Sequence, residues 1–331
     1  MSKRLSVIIP GYNTPDGLWR RCVSSVLNAT CDDDEIICVD DGSTKAKMPI
    51  FDNPRVRQIY LEENCGQACA RNKALDIAKG EWVAFVDSDD EIVPDIYERG
   101  IAKLKETGRD IVAFGIDTVY LYDGLEGKSE LGDNDIGVLT QQWVKYFIKQ
   151  RLFDEPVNKI YRRSFLEENH IRFPNGVCPG EDTMFILDCV LHNATWATIN
   201  GHGYIYYRMD GTTLSRYLGN YVDTLRYWKV KWDEYLSTIG SGYDGWWPTK
   251  NYSEEWVASM QWENIWRRNS PWKLRDKWAY LKQHPSLCKP FAIYVLLKKV
   301  LHTFMRLHCY WRPIRRWHLK RTWPHLKNLT K

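Results

Sequence analysis

The sequence predicts an α/β protein with a doubly wound, mostly parallel sheet, because short apolar runs alternate with stretches of helical period. Each apolar run is five or six residues long, which suits a buried strand better than a helix. Helical stretches separate most of these runs, and strands joined by helices are typical of parallel sheets. The strands predicted in this region are residues 5–9, 35–39, 56–61, 82–86 and 110–115.

Three helices of the first half are indicated by periodicity and by terminal signals. In residues 16–28, an apolar face is formed by Leu18, Cys22, Val26 and Leu27. A second helix runs from Gln67 to Lys79 and is stopped by Gly80. Pro94 begins a third, which is expected to end near Thr107.

The rest of the chain follows a different pattern. Residues 116–140 are polar and rich in glycine, which predicts a loop or hairpin. Beyond about Leu218 the sequence is helical in pattern and rich in tryptophan. We therefore expect a first domain at 1–217 and a helical C-terminal region at 218–331. Short strands are expected among helices at 157–161, 196–199 and 204–207.

Charge is distributed unevenly along the chain. Residues 277–331, termed the basic tail, contain 13 Lys and Arg and no Asp or Glu. Residues 1–276 therefore carry 33 basic and 42 acidic side chains, and 13 of the 16 tryptophans lie at Trp196 or later. The two regions are expected to meet different surroundings.

The cysteine pattern and the overall composition exclude several classes of protein. The nine cysteines form no Cys-x-x-Cys pair, so we expect reduced thiols in a cytoplasmic protein and no zinc site. Hydrophobic residues make up 44% and charged residues 27%, which fits a globular chain. No apolar run reaches the roughly 18 residues that a membrane-spanning helix needs.

Polar clusters follow three of the predicted strands at the points where the strands end. They are Gly11-Tyr12-Asn13, Asp40-Asp41 and residues 87–90. Ligands of parallel sheets bind in the crevice at the carboxyl ends of the strands. Carboxylates that meet in one crevice repel each other unless a cation or a hydrogen-bonding ligand offsets their charge. The sequence therefore predicts a ligand site at this edge.

The triplet Asp87-Ser88-Asp89 is the candidate metal site. Hard carboxylate oxygens at a sheet edge can hold Mg²⁺ or Mn²⁺ against a diphosphate. An isolated triplet of this kind is more often a solvated acidic turn that caps the next helix. Its position directly after the apolar strand at 83–86 favours the metal site.

Two further segments suit a nucleotide. A carboxylate of Asp40-Asp41 can accept hydrogen bonds from a uracil N–H or a ribose hydroxyl, although an Asx turn with Gly42 at positive φ explains the same residues. In residues 64–72, Gly66 permits close backbone approach, and Arg71 lies one turn into a helix whose N-terminus favours an anion. The alternative is an ordinary capped helix with an exposed arginine. No Gly-x-Gly-x-x-Gly follows the first strand, which argues against a nicotinamide cofactor.

Glu181 and Asp182 begin an apolar helix. Adjacent acidic residues at a helix start commonly only complement the helix dipole. The functional alternative is a general base, with one of the two carboxylates facing the crevice.

Together these segments resemble glycosyltransferase family 2, the inverting enzymes of GT-A fold, a Rossmann-like α/β architecture. The resemblance covers about residues 5–210, and its motifs occur in order. One departure is Gly11, where the family usually has a small side chain such as Ala or Val. The matching motifs are Ser6–Asn13, Glu35–Ser43, Asn64–Asn72, Asp87–Asp90 and Gly180–Asp182.

The resemblance implies roles for individual residues. It places Pro10, Tyr12 and Asp41 around the nucleoside, with Asp41 on uracil, and it places Asp87 near the ribose. Asp89 would ligate Mn²⁺ or Mg²⁺ on the diphosphate, Arg71 would support the nucleotide side, and Asp182 would be the catalytic base. Candidate nucleotide-binding residues in the same motifs are Asn13, Asn64, Gly66 and Ser88.

The resemblance also implies a function. Asn158–Tyr161 and Arg172–Pro174 look like the subset that builds bacterial capsular, exopolysaccharide and O-antigen chains. We expect a hexosyl- or N-acetylhexosaminyltransferase that moves a sugar from a nucleotide-diphosphate donor, a UDP-sugar, to a saccharide carried on a polyprenyl diphosphate. The alternatives are a sugar-1-phosphate nucleotidyltransferase and a catalytically silent saccharide-binding scaffold.

The basic tail predicts a location. Its apolar face from Ile293 to Leu307 lies beside Lys298, Lys299 and Arg306, and tryptophans follow. Basic residues with interfacial aromatics are typical of helices on anionic membrane surfaces. We therefore expect a peripheral protein at the cytoplasmic face of the plasma membrane. The alternatives are a helix packed on the domain and a nucleic-acid site, for which the catalytic crevice has no use.

Overall fold

The computed structural model describes residues 3–120, 126–150, 152–177 and 180–208, together with residues 230 and 275. These residues form one sheet of ten strands with helices packed on it. None of the described helices is both long and apolar enough to cross a membrane. Apart from residues 230 and 275, the predicted helical region at 218–331 lies outside the described residues, as do its boundary at 217 and the basic tail, and all three stay predictions.

The first half of the sheet is parallel, as predicted. Its strands are β1 (Lys3–Gly11), β2 (Glu35–Asp40), β3 (Val56–Tyr60) and β4 (Gly80–Phe85), in the spatial order β3-β2-β1-β4. The helix α1 (Asp16–Ala29) connects β1 to β2. The helix α2 (Gln67–Leu75) connects β3 to β4. α2 ends four residues earlier than predicted, because its last turn tightens and the Lys79 amide donates instead to Glu35.

The second half of the sheet is mixed. After β5 (Glu91–Ile92) and the helix α3 (Pro94–Thr107), the strand β6 (Ile111–Tyr120) does not pair with β4. The strand β9 (Lys159–Arg162) lies between them and runs antiparallel to both. Because β9 runs in the opposite direction, its first residues lie at the carboxyl end of β4. The segment before β9 is thereby brought to the predicted ligand edge.

The second half agrees with one prediction and corrects another. Residues 116–140 contain the predicted hairpin, since β6 extends to Tyr120 and pairs antiparallel with β7 (Glu126–Ser129), while β8 (Asn134–Val138) pairs elsewhere. The two strands expected at 196–199 and 204–207 are one strand, β10 (Thr195–Arg208), parallel to β6. Its register against β6 shifts around the Gly201-His202-Gly203 segment, which lies between the two predicted strands.

An aromatic cluster fixes the last helix on the sheet. The helices that follow β8 are α4 (Gln141–Lys149), α5 (Arg163–Glu168) and α6 (Glu181–Leu191). On α6, the Phe185 ring stacks on Phe173 with centroids 4.1 Å apart, and Phe85 of β4 meets it edge-on at 5.6 Å. Both contacts are buried, so the start of α6 is held at the carboxyl end of β4.

The glycine at position 11 has a packing reason. A Cβ atom at Gly11 would lie 2.3 Å from Cζ2 of Trp19 and 2.7 Å from the Ser88 hydroxyl oxygen. Trp19 is fully buried on α1 and cannot move away freely. The departure from the family pattern therefore accompanies a large side chain that occupies the space of the missing Cβ.

We predict that Gly11→Ala destabilises the protein by about 1–3 kcal/mol, the usual cost of overpacking. Urea unfolding measures this, and Gly17→Ala is the matched control, since a Cβ at Gly17 meets nothing within 4 Å. If the Trp19 ring is the cause, Gly11→Ala combined with Trp19→Phe is less unstable than the sum of the two single changes. A Gly11→Ala variant as stable as the wild type would contradict the prediction.

Candidate active site

The buried Arg71 guanidinium joins two of the predicted motifs. Its Nη2 donates to Oδ1 of Asp87 at 2.8 Å, and its Nη1 donates to Oδ1 of Asp182 at 2.5 Å. The Arg71 side chain is 1% exposed, whereas those of Asp87 and Asp182 are 29% and 31% exposed. The guanidinium also lies over the Phe173 ring, 5.0 Å from its centroid. The strand-end triplet and the start of α6 therefore meet at one cation.

This position differs from the exposed arginine considered from sequence. Both terminal nitrogens of Arg71 already donate to carboxylates of the protein. The charges of Asp182 and Asp87 keep the pKa of Arg71 above its usual value although burial opposes this. The guanidinium is therefore a fixed positive charge below the crevice.

The triplet after β4 presents its three side chains differently. The Asp87 carboxylate accepts from Arg71 and from Nε2 of Gln67 at 2.7 Å. The Ser88 hydroxyl is buried and bonds the Thr14 hydroxyl at 2.8 Å. No other described residue donates a side-chain hydrogen bond to the Asp89 carboxylate. Burial, reinforced by the Asp87 charge, raises the pKa of Asp89 to about 6.

These features fit a divalent cation that is held together with a ligand. A nearby cation would favour the ionised form of Asp89, which burial and Asp87 now disfavour. Within the described ranges, no group of three or more His, Cys, Asp or Glu side chains is arranged to hold a metal ion by itself. Mg²⁺ commonly binds one or two protein carboxylates and completes its shell with phosphates and water. The donor set is therefore incomplete without a phosphate ligand.

The sequence predicted that the N-terminus of α2 would bind an anion. In the structure this position is occupied by a carboxylate of the protein, that of Asp41. Its oxygens accept the backbone N–H groups of Cys65 and Gly66, each at 2.9 Å, and Nδ2 of Asn64 at 2.9 Å. A carboxylate has about four acceptor positions, so one remains for a ligand. Burial raises the pKa of Asp41, and the two backbone hydrogen bonds oppose the shift. Asp40, in contrast, is buried, and each of its carboxylate oxygens accepts one backbone N–H, from Ser43 and from Met48.

Gly66 is required by its backbone angle. Its φ is +91°, a backbone angle that residues other than glycine rarely adopt. A Cβ there would meet nothing within 4 Å, so close approach within the protein is not the reason for the glycine. The positive φ aims two consecutive amides at Asp41.

The residues after β1 are held by a second set of bonds. Asn13 has φ +53°, and its Oδ1 accepts the amides of Thr44 at 3.0 Å and Lys45 at 2.7 Å. Tyr12 beside it is 44% exposed, whereas Pro10 is buried at the end of β1. Asn13 therefore joins two loops of the site, and the Tyr12 ring is the one open to a ligand.

The expectation of reduced thiols is wrong at one place. Cys65 and Cys69, on either side of the start of α2, form a disulfide with Cα atoms 5.7 Å apart. The first helical turn brings residues four apart onto one face, which a search for Cys-x-x-Cys pairs overlooks. The free cysteines among the described residues are Cys22, Cys31, Cys38 and Cys189.

The two acidic residues of α6 have distinct positions. Glu181 is 5% exposed, and its Oε2 accepts the backbone N–H of Gly180 at 2.8 Å. Asp182 is partly exposed and bound to Arg71. Burial raises the pKa of both groups, that of Glu181 to about 7. The Arg71 charge opposes the rise in the pKa of Asp182. Of the two carboxylates, Asp182 is therefore the one that is both more exposed and held by a cation.

A buried lysine was not identified as a site residue from sequence. Lys159 is fully buried, and its Nζ donates to the carbonyls of Leu152 and Glu155 and to Oδ1 of Asn158. Burial lowers its pKa to about 7. Asn158 in turn bonds the Phe114 backbone. The segment before β9 is thereby fixed at the crevice. Its position there depends on the antiparallel direction of β9, which the sequence does not show.

Comparison with known proteins agrees with the sequence motifs. Residues 6–169 match the model of glycosyl transferase family 2. The chain is 31% identical over 232 residues to the glycosyltransferase GlyG of Streptococcus pneumoniae serotype 4, covering 65% of this chain and 74% of GlyG. It is 31% identical to the succinoglycan biosynthesis protein ExoO of Rhizobium meliloti, covering 65% of this chain and 63% of ExoO. The chain thus spans slightly less than two thirds of the ExoO length.

A solved structure shows the same architecture. The crystal structure of S. aureus TarS 1-349 in complex with UDP-GlcNAc matches with a TM-score of 0.58 over 83% of this chain and 77% of that chain. At 22% identity the likeness shows the fold alone. With the motifs in one crevice and the α/β architecture confirmed, the chain belongs to glycosyltransferase family 2 and has the GT-A fold.

Proposed function

We propose that this protein transfers a sugar from a UDP-sugar to a hydroxyl of a saccharide acceptor with inversion at the anomeric carbon. The observation that carries the proposal is the Arg71 bridge, which brings Asp87 and Asp182 to one crevice beside Asp89. Family membership and the UDP-GlcNAc named for TarS support a nucleotide-sugar donor. Membership of glycosyltransferase family 2 also favours a glycosyltransferase over a sugar-1-phosphate nucleotidyltransferase.

The nucleoside would lie along the ends of β1, β2 and β4. The remaining acceptor position of Asp41 suits the uracil N–H, and the exposed Tyr12 ring suits the face of the base. Asp87 would accept from the ribose. The other predicted nucleotide residues would act indirectly, since Asn13, Asn64, Gly66 and Ser88 are engaged in shaping the loops.

Asp89 would hold Mn²⁺ or Mg²⁺ together with the donor diphosphate. When bound, the ion stabilises the negative charge that develops on the leaving diphosphate. The Asp89 carboxylate is the one of the triplet that no other described side chain engages, which supports this role. The protein's own contribution is to present Asp89 at the crevice, and a bound cation would favour the ionised form of this carboxylate.

Asp182 would act as the general base. It takes the proton of the acceptor hydroxyl as that oxygen attacks the anomeric carbon from the face opposite the diphosphate. The bond to Arg71 fixes the carboxylate, and positioning of the two substrates supplies much of the remaining rate. No covalent enzyme intermediate is required for an inverting transfer.

The acceptor would be a saccharide linked to a polyprenyl diphosphate at the cytoplasmic face of the membrane. The name of ExoO supports a role in cell-surface polysaccharide synthesis, and the charge of the basic tail supports membrane contact. The sugar transferred would be a hexose or an N-acetylhexosamine.

We predict that Asp89→Asn abolishes the gain in UDP affinity that Mn²⁺ gives, because an anionic oxygen ligand is lost. Calorimetric titration of UDP with and without MnCl2 measures this. Asp32→Asn, an exposed carboxylate outside the crevice, is the control and should behave as the wild type. Unchanged manganese dependence in Asp89→Asn would remove the metal role from Asp89.

We predict that Asp182→Asn lowers the transfer rate by roughly 10²-fold or more, which is typical of lost proton transfer, while donor affinity stays near normal. Since burial raises the pKa of Asp182, the wild-type rate should fall as pH drops towards that pKa. Glu181→Gln is the matched control. If Glu181→Gln is slow and Asp182→Asn is not, the base has been assigned to the wrong residue.

We predict that the full-length protein sediments with anionic vesicles and not with neutral ones. Each Lys or Arg near an anionic surface contributes about 1 kcal/mol, less as salt screens it. Replacing Arg312, Arg315 and Arg316 by Gln should weaken vesicle binding and leave UDP binding unchanged. Equal binding to both vesicle types at low salt would contradict the membrane role of the basic tail.

A further inference from the structure

The hydroxyl of Tyr204 touches the turn after β4 at two places. It accepts the backbone N–H of Asp87 at 3.1 Å and donates to Oδ2 of Asp90 at 2.7 Å. The Tyr204 side chain is fully buried on β10. One phenol oxygen therefore ties the first and last residues of the turn at 87–90 to a strand that is distant in sequence.

Asp90 is an anchor and is not available to a ligand. It is fully buried, and its second oxygen accepts the backbone N–H of Tyr207 at 2.9 Å. Its own backbone N–H donates to the Asp87 carbonyl at 3.1 Å and closes the turn. Both carboxylate oxygens of Asp90 are thus bound to groups of β10, whereas no described side chain donates a hydrogen bond to the Asp89 carboxylate.

Arg21 of α1 also holds the turn at 87–90. Its Nη2 donates to the Asp89 carbonyl, and its guanidinium carbon lies 3.8 Å from the centroid of the Tyr207 ring. The Tyr207 hydroxyl donates to Oε1 of Glu91 at 2.8 Å, and Arg21 pairs with the same oxygen at 3.2 Å. The backbone on both sides of the Asp89 side chain is therefore held by β10 and α1.

We propose that Tyr204 is a positioning residue for the metal ligand, fixing the backbone of the turn so that the Asp89 carboxylate points at the divalent ion and the donor diphosphate. This inference rests on the proposed metal role of Asp89. Small divalent ions demand near-ideal ligand geometry, so a mobile turn would bind them poorly. Loss of a group that orients a metal ligand typically costs 10–100-fold in metal affinity.

The experiment measures Mn²⁺ affinity in the presence of UDP by electron paramagnetic resonance, on wild type and on Tyr204→Phe. The variant keeps the buried ring and removes the two hydrogen bonds. We expect its Mn²⁺ affinity to fall by about 10–100-fold, and its metal-free UDP affinity, which involves Asp87, to fall much less. Tyr97→Phe is the matched control, because Tyr97 is also fully buried and its hydroxyl has no hydrogen-bond partner among the described residues.

A second variant guards against loss of folding. Asp90→Asn retains one oxygen acceptor, so we expect a smaller fall in Mn²⁺ affinity in the same direction. Wild-type Mn²⁺ affinity in both variants would overturn the inference and leave the proposed function intact. Equal losses of UDP affinity with and without Mn²⁺ would also overturn it, since that result indicates general packing. If the wild type itself binds no Mn²⁺ with UDP, the metal role of Asp89 fails and the inference with it.

Discussion

The buried Arg71 cation is the interaction on which the crevice depends. It is the common partner of Asp87, which follows β4, and of Asp182, which begins α6 more than ninety residues later. Without this charge the two carboxylates would face each other beside Asp89, and an uncompensated buried charge is strongly destabilising. The aromatic stack of Phe173 and Phe185 brings α6 to the same place, so packing and electrostatics require one arrangement.

Each acidic side chain of the crevice has its own source of compensation, and this separates their roles. Asp87 and Asp182 share Arg71, Asp41 is bound by the amides at the start of α2, and Asp90 is bound by two groups of β10. Asp89 alone lacks such a partner among the described side chains. Among the described carboxylates of the crevice, this difference singles out Asp89 for the proposed metal role.

The parallel half of the fold followed directly from the apolar runs, because fully buried strands such as β2 have a distinctive pattern. The convergence of Asp41, Asp87 and Asp182 followed from the strand ends and the family motifs. Other features depend on tertiary contacts that one sequence does not display. Arg71 lies at a helix position where an exposed residue is expected. It is buried instead, and it pairs with two carboxylates that are distant in sequence. Lys159 reaches the crevice only because β9 runs antiparallel to its neighbours.

The most direct test is a crystal structure of the protein with UDP and Mn²⁺, with the ion located by its anomalous scattering. We expect the ion to lie between the Asp89 carboxylate and the diphosphate, while Arg71 keeps its bonds to Asp87 and Asp182. An ion bound away from Asp89, or an Arg71 guanidinium turned onto the diphosphate, would contradict this expectation.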